Sequence, residues 1–445
     1  MAGLTPRRLR DLLEPALTEL PAGPLAVAFS GGLDSSVLVH SLAALPAARA
    51  RGLRCLHVDH RLNDGSAAWA LHCERFAAKC DVPISTLRVD VERGVGLGLE
   101  AAARRARHAA LLAALSPGEI VIFAHHRDDQ AETVLLKLMR GAGPEGLGAM
   151  RTLRRFGAGM AWRPLLPLPR AALRGYAEHH GLHWLQDPSN ADTLIDRNYL
   201  RIDVLPRIRK RWPEADVSIA QSANWVRAAA DYIDEQSQRA LALVQGLDPA
   251  TLRFREWLDL AEALRDPVLR RWLRDIGLPE PNQHQVHELV RQLAEAGEDK
   301  LPCVRWPGAE LRRYRDLVYA RRPLMFVPVE WQFAWRGEPL VLPVGLGTLH
   351  LVAASTQAPP RLLTEALRVR FRRGGESLKL AGDAHHRDLR DLFQEAGIPP
   401  WERSRLPLIF DDEERMLAVA DLWQSDAGSA LFERHGCRLQ WDRAH

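Results

Sequence analysis

Cysteine is scarce in this chain, and its cysteines are far apart. Five occur among the 445 residues, and they are Cys55, Cys73, Cys80, Cys303 and Cys437. Because their number is odd and no two of them form a Cys-x-x-Cys pair, the pattern argues against a disulfide framework or a zinc site. It is typical of reduced thiols, and we therefore expect a cytoplasmic protein.

Long apolar runs, internal repeats and low-complexity segments are also missing. No apolar run is long enough to span a bilayer and the N-terminus has no signal-peptide core, so we expect no association with a membrane. Lysine is rare beside arginine, which is the better bidentate ligand for phosphate, although GC-rich coding gives the same bias. The net charge of +4 is too small to indicate a nucleic-acid partner by itself.

The length and the hydrophobic content of 47% predict two or three domains with ample core. Between residues 21 and 210, strand and helix patterns alternate, as they do around a mostly parallel sheet. The predicted strands are 25–29, 53–59, 84–89 and 120–124. Ligands bind at the shared carboxyl edge of such strands.

The patterns change after residue 215. Helical spacing dominates to residue 322, with basic and aromatic residues interleaved at 270–274 and 312–315, and the last segment mixes strands with a helix at 388–396. We therefore predict an α/β domain at 1–215 with helices on both faces of its sheet, a helical domain at 216–322, a connector with strands at 323–360 and a small α+β domain at 361–445.

A glycine-rich turn follows the first predicted strand. It reads Ser30-Gly31-Gly32-Leu33-Asp34-Ser35, and a helix pattern begins directly behind it. Glycines let the backbone approach a ligand and a helix N-terminus supplies free N–H groups, so the turn favours a phosphate or pyrophosphate. It is neither a Walker A loop nor a three-glycine dinucleotide turn. The alternative is a strand–helix turn with no ligand.

A dense polar cluster follows the fourth predicted strand. It reads His125-His126-Arg127-Asp128-Asp129-Gln130-Ala131-Glu132-Thr133. Asp129 and Glu132 are three residues apart, so both carboxylates lie on one helical face, where they could hold Mg²⁺ beside phosphates or grip a cationic amine. The adjacent histidines, His125 and His126, could donate to a phosphate or help to move a proton. The alternative is an acidic first turn that only stabilises the helix dipole.

Three further positions are candidates for phosphate or nucleotide contacts. Asp59 ends the second predicted strand, at the edge where a nucleotide would lie. Arg197 and Arg201 lie one helical turn apart and could bind a phosphate together, or could form surface ion pairs with Asp196 and Asp203. The predicted helix that contains Glu100 also has arginines on the same face. Their spacing from Glu100 favours an exposed ion pair over a contact with phosphate.

Four motifs together resemble those of the bacterial tRNA(Ile)-lysidine synthetases. The strand–Ser-Gly-Gly-x-Asp-Ser–helix unit is similar to the PP-loop of the wider ATP pyrophosphatase superfamily. The other motifs are the His-His-Arg-Asp-Asp-Gln-Ala-Glu-Thr cluster, the Arg-Pro-Leu segment that begins at Arg163, and the elements Asp187–Asn190 and Asp196–Arg201. A Glu-x-x-Ala-Arg-x-x-Arg element also fits, with His108 where tyrosine is usual. The resemblance covers residues 22–211.

The resemblance implies a reaction and roles for these residues. ATP adenylates the wobble cytidine of a tRNA(Ile) with a CAU anticodon, and the ε-amine of L-lysine then displaces AMP. Asp34 would help to place Mg²⁺, with Asp129 as a second ligand, and Asp129 and Glu132 would hold the lysine amine, Mg²⁺ or both. Arg197 or Arg201 would stabilise charge on the α-phosphate. The implied nucleotide contacts are Ser30, Gly31, Gly32, Leu33, Asp34, Ser35, Asp59 and His125.

The resemblance also implies partners for the later domains and leaves rival functions to weigh. The helical and C-terminal domains would hold the tRNA, and a homodimer is open because some family members dimerise. A PP-loop tRNA thiolase is the nearest rival, and the missing Cys-x-x-Cys pair counts against it. A small-molecule ligase would not need the later domains. A non-catalytic tRNA-binding protein would not need both the glycine-rich turn and the acidic cluster.

Overall fold

The computed structural model describes residues 6–61, 66–91, 99–295, 301–353 and 363–443. The chain divides into two compact units, Met1–Gln236 and Ser237–His445. No helix in these described ranges is both long and apolar enough to cross a membrane. The sequence also predicts a glycine-rich loop at 94–98, and this loop lies outside the described residues. The division into four segments stays a prediction.

The first unit is built on a mixed sheet. Its described strands are β1 (Leu25–Ala28), β2 (Arg54–Asp59), β3 (Ile84–Arg88), β4 (Ile120–Ile122), β5 (Leu153–Phe156) and β6 (Gly159–Trp162). They lie in the order β3-β2-β1-β4-β6-β5, and every neighbouring pair is parallel except β6 with β5. The parallel α/β prediction is confirmed, and the β5–β6 hairpin adds an antiparallel edge that the sequence did not indicate.

Helices cover both faces of this sheet. The described helices are α1 (Pro6–Thr18), α2 (Leu33–Ala43), α3 (Pro46–Ala50), α4 (Ser66–Lys79), α5 (Leu99–Ala114), α6 (Arg127–Met139), α7 (Pro144–Leu147), α8 (Arg170–His179), α9 (Asp196–Tyr199) and α10 (Leu205–Arg211), and α11 (Ala215–Val244) follows them. Side chains alternate along β1, so Leu25 and Val27 join the core with α1 and α2, whereas Ala26 packs with Leu111 of α5 on the other face. The prediction that helices lie on both faces of the sheet is confirmed.

The second unit contains more strand than its helical spacing suggests. Its described first part has α12 (Phe254–Leu258), α13 (Glu262–Asp275) and α14 (Gln283–Glu295) beside the antiparallel strands β7 (Thr251–Arg253), β8 (Cys303–Trp306), β9 (Ala309–Tyr314) and β10 (Leu317–Arg321). These strands were not predicted, because the charged residues of β9 obscure the alternation of apolar and polar side chains that is typical of a strand. The described last part contains β11 (Gln332–Trp335), β12 (Leu340–Val341), β13 (Thr348–Ala353), β14 (Leu367–Arg370), β15 (Ser377–Leu378), β16 (Arg387–Asp388), α15 (Leu389–Glu395), α16 (Pro400–Arg403), β17 (Leu408–Phe410), β18 (Met416–Val419), β19 (Trp423–Gln424), α17 (Asp426–Arg434) and β20 (Cys437–Asp442).

The residues that follow the parallel strands lie in a row along one edge of the sheet. Four strands neighbour one another in the order β2, β1, β4 and β6. The residues that follow them at the carboxyl edge begin with His60, Phe29, Phe123 and Arg163, and Asp59 ends β2 at the same edge. Adjacent strands are about 4.8 Å apart, so side chains from all four loops can meet over one short distance.

A buried ion pair holds the opposite edge of the sheet. Arg54 at the start of β2 donates from Nε and Nη2 to the two carboxylate oxygens of Glu119, at 2.7 and 2.6 Å. Glu119 is 1% exposed, and it also accepts from the backbone N–H of Ser116. These contacts hold the pKa of Glu119 below its usual value, although burial alone would raise it.

Removing the cation of this pair should destabilise the first unit. Arg54→Met leaves the Glu119 carboxylate buried without its partner, and we expect the free energy of unfolding to fall by about 3 kcal/mol. The matched control is Arg10→Met, which breaks an exposed pair with Glu14 and should leave the free energy of unfolding almost unchanged. Urea unfolding of the full chain measures both. Equal losses in the two variants would contradict the structural role given to Glu119.

Candidate active site

The glycine-rich turn forms a shallow cradle between β1 and α2. The Oγ atoms of Ser30 and Ser35 lie 3.1 Å apart, and Ser35 Oγ also donates to the carbonyl of Gly32 at 3.1 Å. Gly32 stands before the first turn of α2, whose early N–H groups have no earlier turn to bond. Leu33 is buried beneath the turn and Asp34 lies in the first helical turn. Hydroxyls and helix N–H groups thus converge as an anion site requires.

Gly31 is needed at its position for two reasons. Its φ of +76° is unfavourable for a residue with a side chain. A Cβ there would also lie 2.8 Å from Cys73 Sγ and 3.1 Å from Trp69 Nε1. The indole of Trp69 is fixed beside the turn because it donates to the carbonyl of Ser30 at 2.8 Å. The helix α4 therefore packs tightly against the turn.

The two predicted acids and the two predicted arginines meet in one cluster. Glu132, which is 0% exposed, accepts from Arg197 Nε and Arg201 Nε, each at 2.7 Å. Asp129 Oδ1 accepts from the Nη2 atoms of the same arginines at 3.0 and 3.3 Å. Burial alone would raise the pKa of Asp129, but the charges of His126 and Arg197 lower it to about 2. The cluster therefore holds two carboxylates and two guanidinium groups.

Local structure explains how the two arginines reach α6. Asp187 accepts from the N–H of Ser189 and starts a short turn. Asn198 donates to the carbonyls of Ser189 and Asp192, so this turn fixes the start of α9 beside Arg197. The next turn, Leu200–Val204, is a π-helix that contains Arg201. Such turns are rare and occur often at functional sites.

His126 joins this cluster to the glycine-rich turn. Its side chain caps α6 by accepting from the N–H of Asp129, whose carboxylate in turn accepts from the N–H of His126. The Nε2 atom lies 3.6 Å from Asp34 Oδ2. Burial alone would lower the pKa of His126, but Asp34, Asp129 and Asp128 together raise it above its usual value. The sequence indicated the histidine pair without assigning this role to its second member.

Asp128 extends the network toward α8 and α10. Its carboxylate accepts from the N–H of Arg170 at 3.0 Å and from Arg209 Nη2 at 3.2 Å. Arg209 also donates to Asp216. Arg170 Nε lies 3.8 Å from Asp34 Oδ1. Neither arginine was predicted, because their spacing in the sequence shows no relation to α6.

His125, the first member of the histidine pair, contacts Arg163. Its Nδ1 accepts from Arg163 Nε at 3.2 Å. Burial lowers the pKa of His125 to about 3 despite the nearby charge of Asp129, so the imidazole is neutral. Asp59, the other predicted nucleotide contact, is buried at the end of β2 and accepts from the N–H of Arg61. The side chain of Glu100 lies outside the described residues.

Comparison with protein families places known domains along the whole chain. Residues 5–208 match a PP-loop domain, residues 252–319 match the TilS substrate binding domain and residues 367–441 match the TilS substrate C-terminal domain. The first range contains every predicted site residue, from Ser30 to Arg201.

Several curated proteins are similar over almost their full lengths. A tRNA(Ile)-lysidine synthase of Xanthomonas axonopodis pv. citri is 42% identical over 97% of this chain and 96% of its own. Those of Xylella fastidiosa and Alkalilimnicola ehrlichii are 42% and 44% identical, over 95% and 94% of this chain and 95% and 93% of their own. The chain belongs to the tRNA(Ile)-lysidine synthase family.

Proposed function

We propose that this chain ligates L-lysine to the wobble cytidine of a tRNA(Ile) with a CAU anticodon and splits ATP to AMP and pyrophosphate. The observation that carries the proposal is the near-full-length match to tRNA(Ile)-lysidine synthases. The same match favours lysidine formation over the tRNA thiolase that the PP-loop alone would allow. The cradle, the acids and the arginines at one sheet edge supply groups that this chemistry needs.

The first step forms a bond between the cytidine O2 and the α-phosphorus of ATP, and pyrophosphate leaves. Ser30, Ser35 and the first N–H groups of α2 would hold the leaving pyrophosphate. In the second step the lysine ε-nitrogen bonds to C2, AMP leaves with O2, and the amine gives up protons. Electrostatic stabilisation by fixed donors contributes most to such steps.

The carboxylate of Asp34 fits the Mg²⁺ that the resemblance implies. Its Oδ1 is buried and has no hydrogen-bond partner among the described residues, and Mg²⁺ takes one or two carboxylates together with phosphate oxygens and water. Asp129, the second predicted ligand, already accepts from two arginines and from the backbone of His126. When bound, the ion would neutralise charge on the departing pyrophosphate.

Arg197 and Arg201 would contact the α-phosphate through donors that the acids leave available. Each arginine uses Nε and Nη2 for Asp129 and Glu132, and neither Nη1 bonds to a described residue. Burial alone would lower the pKa of Arg201, but Glu132, followed by Asp129 and Asp34, raises it above its usual value. The acids thus orient the arginines, and the predicted grip of Glu132 on the lysine amine would compete with these contacts.

The second unit would bind the tRNA substrate. Its two matched domains are described as substrate domains. Trp272 is buried and donates to the carbonyl of Pro249, so it is a core residue and not a base-stacking one. Recognition of an anticodon loop would depend on exposed groups that splay and stack its bases. A homodimer stays a prediction.

The function is tested by following labelled lysine and AMP in one reaction. With ATP and a tRNA(Ile) that has a CAU anticodon, we expect lysine in the RNA and an equal amount of AMP. A tRNA(Ile) with a GAU anticodon is the matched control and should give neither product. AMP without lysine transfer would contradict the proposal and would favour a thiolase-type reaction.

Removing the charge of Asp34 should stop catalysis without unfolding the chain. We expect Asp34→Asn to lower the rate of AMP release at least 100-fold, because the cradle loses its only predicted cation ligand from the turn. Asp81→Asn is the matched control, since this exposed carboxylate lies at a φ of +53° that Asn tolerates. Full activity of Asp34→Asn at saturating Mg²⁺ would remove Asp34 from the catalytic groups.

A methyl group at Gly31 should weaken nucleotide binding. Gly31→Ala must push against Cys73 and Trp69, so we expect the Kd for ATP to rise at least tenfold. Gly52→Ala controls for backbone strain, because Gly52 has a φ of +72° and no described heavy atom lies within 4 Å of the position that its methyl group would take. Both variants should lose about 1 kcal/mol of stability from strain. Equal ATP affinities in the two variants would refute the role of the turn.

A further inference from the structure

Arg163 is a buried cation at the carboxyl end of β6. It is 5% exposed. Its guanidinium lies 5.4 Å from the centre of the Phe123 ring, and it donates from Nε to His125 and from Nη1 to the carbonyl of Arg151. Both acceptors are neutral, since one is a backbone carbonyl and the other is the unprotonated Nδ1 of His125. No hydrogen bond of Nη2 to a described residue is formed.

The charge of Arg163 has no counter-ion among the described side chains. Arg197, Arg201 and Arg209 contact carboxylates, whereas Arg163 contacts none of the described carboxylates within 4 Å. Burial, together with the charges of Arg154 and Arg104, lowers the pKa of Arg163 to about 10. Leaving a buried charge without a partner is costly. The site would therefore gain stability from an anionic ligand.

The neighbouring donors also select an anion. His125 Nδ1 accepts from Arg163, so the proton of the neutral imidazole lies on Nε2. Arg163 Nη2 and His125 Nε2 are then both donors. A small carboxylate can reach these two buried donors. An RNA phosphate is attached to a bulky backbone and is better bound by an exposed arginine.

The position of Arg163 suits the length of the lysine substrate. β6 lies two strands from β1, so Arg163 is about 10 Å along the sheet edge from the glycine-rich turn. An extended lysine spans roughly 7 Å between its carboxylate carbon and its ε-nitrogen, from standard bond lengths. A lysine anchored at Arg163 would therefore direct its ε-amine toward the region between α6 and the turn.

We propose that Arg163 binds the α-carboxylate of L-lysine and so selects the free amino acid. This inference rests on the proposed function, since lysine is the substrate of that reaction. Arg163 would contribute binding and not chemistry. Its removal should therefore change the KM for lysine and leave the KM values for ATP and tRNA unchanged.

The test compares L-lysine with L-lysinamide, which keeps the ε-amine and lacks the carboxylate. With the wild-type chain we expect kcat/KM to favour lysine at least tenfold, as for a charged hydrogen bond. Arg163→Met should raise the KM for lysine 10- to 100-fold and leave kcat/KM for lysinamide within threefold, so that the preference disappears. Arg163→Lys should keep part of it.

Controls separate this inference from others. Arg155→Met, an exposed position on the neighbouring strand β5, should keep the wild-type preference. Equal use of lysine and lysinamide by the wild-type chain would overturn the inference without any variant, even if Arg163→Met fails to fold. A rise in the KM for tRNA with the preference kept would overturn it in favour of an RNA phosphate. Transfer of neither compound by the wild-type chain would instead refute the proposed function.

Discussion

The contact of Glu132 with two arginines is the interaction on which the site depends. A fully buried carboxylate is tolerated only when cations and hydrogen bonds surround it, and here Arg197 and Arg201 supply both. Because Glu132 lies on α6 and the arginines lie on the segment that follows the sheet, this contact closes the chain over the carboxyl edge. The site exists only when these distant segments have met.

Charge is distributed unequally around that closed edge. The acids of α6 neutralise the two arginines, His126 bridges Asp34 and Asp129, and the glycine-rich turn offers backbone and hydroxyl donors. Arg163 at the end of β6 is a buried positive charge without a counter-ion among the described side chains. A neutral centre flanked by donors suits a reaction in which negative charge moves from the α-phosphate to pyrophosphate and then to AMP.

Local patterns in the sequence were sufficient for the four strands β1 to β4 and for the segments that meet at their carboxyl edge. Short apolar runs identify β1, β2, β3 and β4, and the glycine-rich turn and the acidic cluster each lie directly behind one of them. Contacts between segments were not visible. The cap by His126, the approach of Arg209 to Asp128 and the burial of Arg163 depend on packing between elements far apart in sequence. The strand β9 was hidden because charged side chains occupy both of its faces.

The π-helical turn at Leu200–Val204 constrains how the chain can vary in length. A π-helical turn holds one residue more than an α-helical turn, so deleting a residue after Arg201 would leave an ordinary α-helical turn with its neighbours on the same faces. Arg209 would then stay beside Asp128 and Asp216, and Arg197, upstream of the change, would keep its place. Deleting one residue from a regular turn of α10 would instead rotate the residues that follow by about 100°. Loss of a single residue among related sequences should therefore occur at this turn and be excluded from the α-helical turns beside it.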